Sequence, residues 1–155
     1  PAANLLGPEN EGWRVGMTTL TNERGHIGAG TVALERRVDN LVAEAKQAGD
    51  IHPAQRDRLV RNLIQAKVLL AMSRRQGPQA SVASSLLKVA VAELAVELAD
   101  ARADRAGMAA TLADHPAAQG LVAAPGAKLG GGTGEVQRNI IGEMILGLPK
   151  EPRPT

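Results

Sequence analysis

Residues 31 to 48 read TVALERRVDNLVAEAKQA, and this stretch decides the fold class. Its apolar residues recur at spacings of three and four, which is the period of one face of an α-helix. Charged and amide residues occupy the opposite face. The spacing therefore predicts an amphipathic helix, whose apolar face consists of Val32, Leu34, Val38, Leu41, Val42 and Ala45.

Two more long helices are predicted downstream of this stretch. Gly49 ends the first helix, Pro53 suits the first turn of the next one, and the Gly-Pro pair at 77–78 closes it. A third long helix is predicted from about Gln79 to Arg105, and it is apolar on most sides, so it should be the most buried member. The apolar stripe predicted for the second helix consists of Leu59, Val60, Leu63, Ile64, Val68 and Leu69.

The segment upstream of Thr31 is also helix-like. Residues 13–25 read WRVGMTTLTNERG, and the glycines at 25, 28 and 30 follow within a few positions. Several glycines close together indicate a bend or a close helix contact, because glycine is unfavourable inside a helix. We therefore predict a helix that bends here and resumes at Thr31.

A weaker segment precedes the last predicted helix. Residues 107–129 are rich in alanine and glycine and are predicted to be loosely ordered. Helix resumes after Thr133, whose hydroxyl is suited to cap the main-chain N–H groups of Glu135 and Val136. The predicted buried face of this last helix consists of Ile140, Ile141, Met144, Ile145 and Leu148.

The predicted fold is all-α, an up-and-down four-helix bundle made of three long helices and one shorter helix. Strand signals are missing from the sequence. A chain of 155 residues has the size of one domain, which hides roughly 70% of its unfolded surface. We expect a connector from a preceding β domain over residues 1–12, a helical bundle over residues 13–148 and a disordered tail over residues 149–155.

The composition argues against several functional classes. The net charge is only +2 with the two signs interspersed, and Trp13 is the single aromatic residue, so nucleic-acid binding is poorly supported. The absence of cysteine excludes disulfides and thiolate chemistry, and three scattered histidines argue against a metal site. No apolar run reaches the length of a membrane span, and we expect a cytoplasmic protein.

The stretch GGGTGEVQRN, residues 130–139, is the candidate for contact with a ligand. Glycines let the main chain approach another molecule closely, and a helix start offers unpaired N–H groups. The stretch lacks the lysine and the preceding strand of a phosphate-binding NTPase loop. From these residues alone, a ligand-contacting loop and a plain helix cap both stay open.

Two long segments resemble the acyl-CoA dehydrogenase family. GGGTGEVQRNIIGEMILGLPKEPR, residues 130–153, is similar to the closing motif of the family's C-terminal helical domain, and GPENEGWRVGMTTLTNERG, residues 7–25, is similar to the segment that leads into that domain. GPQASV, residues 77–82, resembles a helix–helix junction of bacterial members. The resemblance covers essentially the whole chain, and it corresponds to the last domain of a three-domain enzyme.

The resemblance implies FAD-dependent α,β-dehydrogenation of acyl-CoA thioesters. In this family a carboxylate removes the α proton, the β hydrogen leaves as hydride to the flavin, and the electrons pass to an electron-transfer flavoprotein. The carboxylate has two alternative places, of which the one in the closing loop is Gly131 here and the one on the first helix is Glu23. The resemblance thus implies that Glu23 is the catalytic base, whereas the residues alone suggest an exposed carboxylate that pairs with Arg24.

The same resemblance assigns further contacts. Thr133, Gly134 and Glu135 match loop positions that contact FAD, Gly132 matches a residue against the acyl-CoA, and Arg24 becomes a substrate neighbour or a solvated charge. Two departures stand beside these matches. Where the family has an Arg-x-x-Phe-Gly segment, residues 46–53 read KQAGDIHP, and where it has a Gly-Gly segment, residues 108–120 read MAATLADHPAAQG. We therefore expect this chain alone to bind FAD weakly or not at all.

Three functional hypotheses follow. The first is the C-terminal domain of an acyl-CoA dehydrogenase, which builds the oligomer core and one wall of the flavin and acyl-CoA site and is inactive alone. The second is a non-catalytic helical subunit of the same descent that binds a catalytic partner. The third is a helical scaffold whose glycine loop only caps a helix. Apolar residues on more than one helix face predict a dimer or tetramer, or a hetero-oligomer with a related subunit.

Overall fold

A computed structural model describes residues 2–25, 27–49, 51–75 and 80–150, with side chains for 2–20, 30–49, 51–75 and 84–150. Nearly all of these residues are helical, and no strand occurs within these ranges. A 3-10 turn at Ala2–Asn4 comes first, and the α-helices are α1 (Gly12–Gly25), α2 (Ile27–Ala48), α3 (Pro53–Ser73), α4 (Ala80–Ala106), α5 (Pro116–Ala123), α6 (Gly126–Leu129) and α7 (Gly134–Ile140).

The long helices α2, α3 and α4 pack together around one aliphatic core, and α7 packs against α4. Helix α4 contacts each of the other α-helices, as expected of the most apolar of the long helices. Burial of a leucine or valine side chain contributes about 1.5 to 3 kcal/mol, so this core supplies most of the driving force. The predicted all-α bundle is confirmed, with a core of Leu34, Val38, Leu41, Ala45, Leu59, Ala66, Leu69, Leu87, Leu94 and Leu98.

Two His-Pro pairs start helices by the same means. The Nδ1 atoms of His52 and His115 accept hydrogen bonds at 3.2 Å from main-chain N–H groups two residues later, and a proline follows each histidine in the first helical turn. A side-chain acceptor before the helix satisfies a donor that otherwise has no partner. The predicted start of α3 at Pro53 and the end of α2 before Gly49 are both confirmed.

The prediction of a loosely ordered segment over residues 107–129 is wrong. The chain forms a 3-10 turn at Gly107–Thr111 and then α5 and α6, all of which contact α4. Helix α5 is tied down because His115 and Pro116 define its start, and because Ala117 is 1% exposed. Small residues here allow close packing against α4 and do not indicate disorder.

The predicted apolar faces of α3 and of the last helix are only partly buried. On α3, Val60, Ile64 and Val68 are 48%, 58% and 50% exposed, because the helix carries apolar residues on two faces and only one packs in the bundle. Met144 and Leu148 are also exposed. The chain after α7 makes a π-helical turn at Ile141–Ile145, which shifts the phase of the side chains that follow.

Gly25 is the last residue of α1, and α2 begins at Ile27, so the predicted restart of the helix at Thr31 is wrong and Gly28 and Gly30 lie within α2. The predicted bend would fall on residue 26, which lies outside the described residues. Of the tail predicted over residues 149–155, the structure describes only 149–150, which have no regular secondary structure.

Candidate functional site

The glycine loop, defined as residues 130–134, connects α6 to α7 across the surface beside α4. Gly131 and Gly132 have φ angles of +70° and +93°, in the left-handed region that residues with a Cβ avoid. Thr133 returns to an extended conformation and caps α7. The glycines are therefore required by the path of the main chain, whatever the loop contacts.

Thr133 and Glu135 organise the exit of the loop. The Thr133 hydroxyl oxygen accepts a hydrogen bond from the N–H of Val136 at 3.4 Å, so the predicted N-cap is confirmed. The pKa of Glu135 is lowered, first by a hydrogen bond from its own main-chain N–H, then by the Thr133 hydroxyl, with added attraction from Arg138 and Lys128. Helix α7 has only seven residues, so its N-terminus gives little support to the anion-binding argument made from the sequence.

Gln137 holds the loop from inside the protein. Its side chain is 1% exposed, and Nε2 donates a hydrogen bond to the carbonyl oxygen of Gly131 at 3.0 Å. A Cβ atom on Gly132 would lie 2.7 Å from the same Nε2, so a side chain there would displace Gln137. Within the part of the chain that the structure describes, the buried Oε1 atom of Gln137 has no hydrogen-bond partner.

Lys88 of α4 lies beneath the same loop. The residue is 7% exposed, and its Nζ donates to the carbonyl oxygen of Ala127 in α6 at 2.9 Å. A Cβ atom on Gly131 would lie 3.4 Å from Lys88 Cε, so the alkyl chain borders the loop. Burial lowers the pKa of the Lys88 ammonium group. One turn earlier, the hydroxyl of Ser85 is fully buried and has no hydrogen-bond partner among the described residues.

Arg138 fixes the loop on its outer side. Its Nη2 lies 2.6 Å from Glu93 Oε1 of α4, in an ion pair whose two side chains are both about half exposed. A Cβ atom on Gly134 would lie 3.1 Å from Arg138 Nη1. The loop is thus attached to α4 through Lys88 on one side and Glu93 on the other.

Two surface cavities lie elsewhere on the domain. One, of about 390 Å³, lies at the junction of α2 and α3 and includes Lys46 and Arg56 in its lining. The other, of about 470 Å³, lies between α2, α4, α5 and α6, with Arg37 and Arg102 in its lining. Neither of these two cavities is lined by the glycine loop.

The structure brings four of the predicted site residues together. Gly132, Thr133 and Gly134 lie in the glycine loop, and Glu135 follows them in the first turn of α7 with an exposed side chain. Gly131 offers no side chain at the first of the two possible base positions. Glu23 and Arg24 fall within the range of α1, but their side chains lie outside the described residues, so their roles stay predictions.

Gln137 and Lys88 were missed by the sequence analysis. Gln137 precedes Ile140 and Ile141 by three and four positions, so helical spacing places it on the same face as these residues. Lys88 stands in the same relation to Val91 and Ala92 of the apolar helix α4. A polar residue on a predicted buried face was therefore the available signal.

Two further findings concern other kinds of site. In the parts of the chain that the structure describes, no three His, Asp or Glu side chains are grouped so that they could hold a metal ion. Among the helices described, none combines the length and the apolar character needed to cross a membrane.

The chain belongs to the acyl-CoA dehydrogenase C-terminal domain family, whose sequence pattern it matches over residues 10–146. Among curated relatives, acyl-CoA dehydrogenase IpdE1 of Mycolicibacterium smegmatis is 35% identical over 97% of this chain and 40% of its own length. Acyl-CoA dehydrogenase FadE26 of Mycobacterium tuberculosis is 32% identical over 99% of this chain and 44% of its own length. FadE34 of the same organism, also an acyl-CoA dehydrogenase, is 29% identical over 97% of this chain and 22% of its own length.

The chain spans less than half the length of each of these relatives. No solved structure matches it. The family membership accounts for the helical bundle and for the position of the glycine loop at the end of the domain.

The family implies FAD, and the described residues fit one edge of a site for it. The two left-handed glycines present main chain without a Cβ atom, and Glu135 and Val136 are exposed beside them. The side chains beneath the loop are engaged with main-chain carbonyls of the protein, Gln137 with that of Gly131 in the loop and Lys88 with that of Ala127 in α6. This domain alone does not enclose the group.

Proposed function

We propose that the chain acts as the C-terminal domain of an FAD-dependent acyl-CoA dehydrogenase, which introduces an α,β double bond into acyl-CoA thioesters in the cytoplasm. The observation that carries the proposal is the glycine loop, which combines the family's closing motif with left-handed main chain that α4 supports on two sides. In this role the domain supplies one wall of the active site and is inactive on its own.

The proposed chemistry assigns a role to each predicted residue. Glu23 removes the α proton of the thioester, because Gly131 has no group that accepts a proton. FAD, when bound, would accept the β hydrogen as hydride, and its electrons would go to an electron-transfer flavoprotein. The main chain of Thr133, Gly134 and Glu135 would contact FAD, Gly132 would lie against the acyl-CoA, and Arg24 would lie near the substrate.

Burial of Glu23 between substrate and flavin would raise its pKa toward working pH, since a carboxylate in a water-poor pocket is disfavoured in its charged form.

The exposed apolar residues of α3 support the second part of the proposal, assembly into a dimer or tetramer or with a related subunit.

The first experiment asks whether the chain carries flavin. After mixing with excess FAD and gel filtration, the isolated chain should be colourless, because the Arg-x-x-Phe-Gly and Gly-Gly segments of the family are replaced in this sequence. The tagged chain isolated from its own cells should instead be accompanied by FAD, and acyl-CoA should bleach that flavin under anaerobic conditions. Stoichiometric flavin on the isolated chain, or a flavin in the complex that acyl-CoA does not bleach, would contradict the proposal.

The second experiment separates a catalytic domain from a non-catalytic subunit. In the flavin-containing assembly, Glu23→Gln should slow flavin reduction by at least about a hundredfold, because a positioned general base contributes about 10² to 10⁴ in rate. Glu135→Gln is the matched control and should leave the chemistry nearly unchanged. Near-normal reduction with Glu23→Gln would favour the alternative, a helical partner subunit of the same descent.

A further inference from the structure

Lys88 is the one lysine among the described residues that is buried, and no acidic side chain is recorded as its partner. Its ammonium group donates a hydrogen bond to a main-chain carbonyl oxygen, that of Ala127. An ammonium group taken out of water costs free energy unless hydrogen bonds and attraction compensate for it. A buried lysine with this arrangement has a specific structural role, and the two contacts that its side chain makes indicate that role.

Both contacts concern the glycine loop. Ala127 belongs to α6, the four-residue helix that leads directly into the loop, and its carbonyl lies close to the end of that helix. The alkyl chain of Lys88 passes next to Gly131, whose carbonyl accepts the hydrogen bond from Gln137. One side chain of α4 therefore contacts both the helix that leads into the loop and, at Gly131, the loop itself.

We propose that Lys88 is a positioning residue, which fixes the glycine loop on α4 by binding the Ala127 carbonyl and by packing along Gly131. A Cβ atom at position 131 would meet this alkyl chain at van der Waals distance, so the side chain borders the loop closely at this point. A catalytic consequence of this positioning rests on the proposed function, whereas the order of the loop in the free chain does not depend on flavin.

The test uses Lys88→Met in the full chain, because methionine keeps most of the apolar contact and removes the donor. The amides of Ala127, Lys128 and Gly130 are each hydrogen bonded within α6 or its first turn and report on the loop. Hydrogen exchange at these amides, measured by NMR, should be at least about tenfold faster, since a hydrogen bond from a charged donor contributes enough free energy for such a factor. Amides of α3 should exchange at unchanged rates.

Lys67→Met is the matched control, because Lys67 is exposed on α3 and its Nζ lies 2.5 Å from Glu35 Oε1, far from the loop. It should leave exchange in α6 unchanged. Unaltered exchange in α6 with Lys88→Met, or an equal acceleration throughout the chain, would overturn the proposal.

Chemical rescue distinguishes positioning from packing. The chain has no cysteine, so Lys88→Cys can be alkylated selectively while unfolded and then refolded. Modification with 2-bromoethylamine restores an ammonium group at nearly the length of lysine, and modification with iodoethane adds carbon only. Slow exchange in α6 should return with the first reagent and not with the second. The two alkylated forms of Lys88→Cys also test the proposal if Lys88→Met does not fold. If slow exchange in α6 returned equally with both reagents, or with neither, the positioning role would be refuted.

Discussion

The side-chain amide of Gln137 occupies the space that a side chain on Gly132 would need. The Gln137 Nε2 atom that binds the Gly131 carbonyl at 3.0 Å lies 2.7 Å from the position that a Cβ atom on Gly132 would take. The hydrogen bond can therefore form only while residue 132 has no side chain. Gly132 thus has two requirements, a positive φ angle and an open space, whereas Gly49, Gly107 and Gly147 have the first alone.

Gly132→Ala should destabilise the domain more than a comparable change elsewhere. A left-handed residue with a Cβ costs about 1 to 2 kcal/mol, and loss of the Gln137 hydrogen bond should add about 1 kcal/mol. Gly49→Ala is the matched control, because Gly49 has a φ of +81° and open space around it. Urea unfolding followed by circular dichroism measures both. Equal losses in the two variants would show that Gln137 moves aside without cost.

The sequence allowed the bundle to be predicted, because the helix periods and the punctuation at Gly49 and Pro53 are local features. It did not allow prediction of α5, since His115 is not a common cap and the burial of Ala117 depends on α4, which is distant in sequence. The loop shows the same limit. Its Thr133 cap follows from local spacing, but the support from Lys88 depends on a contact across 39 residues.

Glu135 should make the stability of the domain depend on pH in the acid range. Its folded-state pKa is lowered, so the carboxylate stabilises the fold above its unfolded pKa of about 4.3, and this contribution is lost as pH falls through the lower folded value. Wild type should therefore be more stable than Glu135→Gln at pH 7, and the difference should disappear in acid. Thermal unfolding of both proteins between neutral and acid pH measures this.

Glu44→Gln serves as a control for the general loss of a negative charge, because Glu44 lies on α2, outside the glycine loop. A difference between wild type and Glu135→Gln that persists unchanged in strong acid would contradict the assignment, since a protonated carboxyl no longer attracts its partners as an anion does.

Arg58 should stabilise the contact between α3 and α4 in a salt-dependent way. Its guanidinium group lies near three carboxylates on one face of α4, those of Glu97, Asp100 and Asp104. Arg58→Met leaves these charges without their shared partner. We expect the free energy of unfolding to fall by about 1 kcal/mol at low salt, because exposed ion pairs are each weak. The loss should shrink at high salt, where screening weakens the attraction and the repulsion alike.

Arg61→Met is the control for this change, because Arg61 pairs with Asp57 within α3 and is 74% exposed in its side chain. We expect Arg61→Met to lower the free energy of unfolding by less than about 0.5 kcal/mol, as is usual for a pair four residues apart in one helix. Urea unfolding at two salt concentrations compares the variants, and an Arg58→Met loss independent of salt would point to lost packing instead of charge.

The exposed apolar stripe of α3 should be where the chain associates. Val60, Ile64 and Val68 are spaced by four residues and are each about half exposed, so they form a continuous apolar strip outside the bundle core. We expect the chain to be a dimer or tetramer at tens of micromolar, and Ile64→Lys to shift it toward monomer. Burial of one isoleucine contributes about 1.5 to 3 kcal/mol, so the dissociation constant should rise about tenfold to a hundredfold.

Val122→Lys, at an 84% exposed valine of α5, is the control and should not change the mass measured by sedimentation equilibrium. A wild-type monomer would contradict the predicted association, whereas an Ile64→Lys variant with the mass of the wild-type oligomer would place the association surface elsewhere.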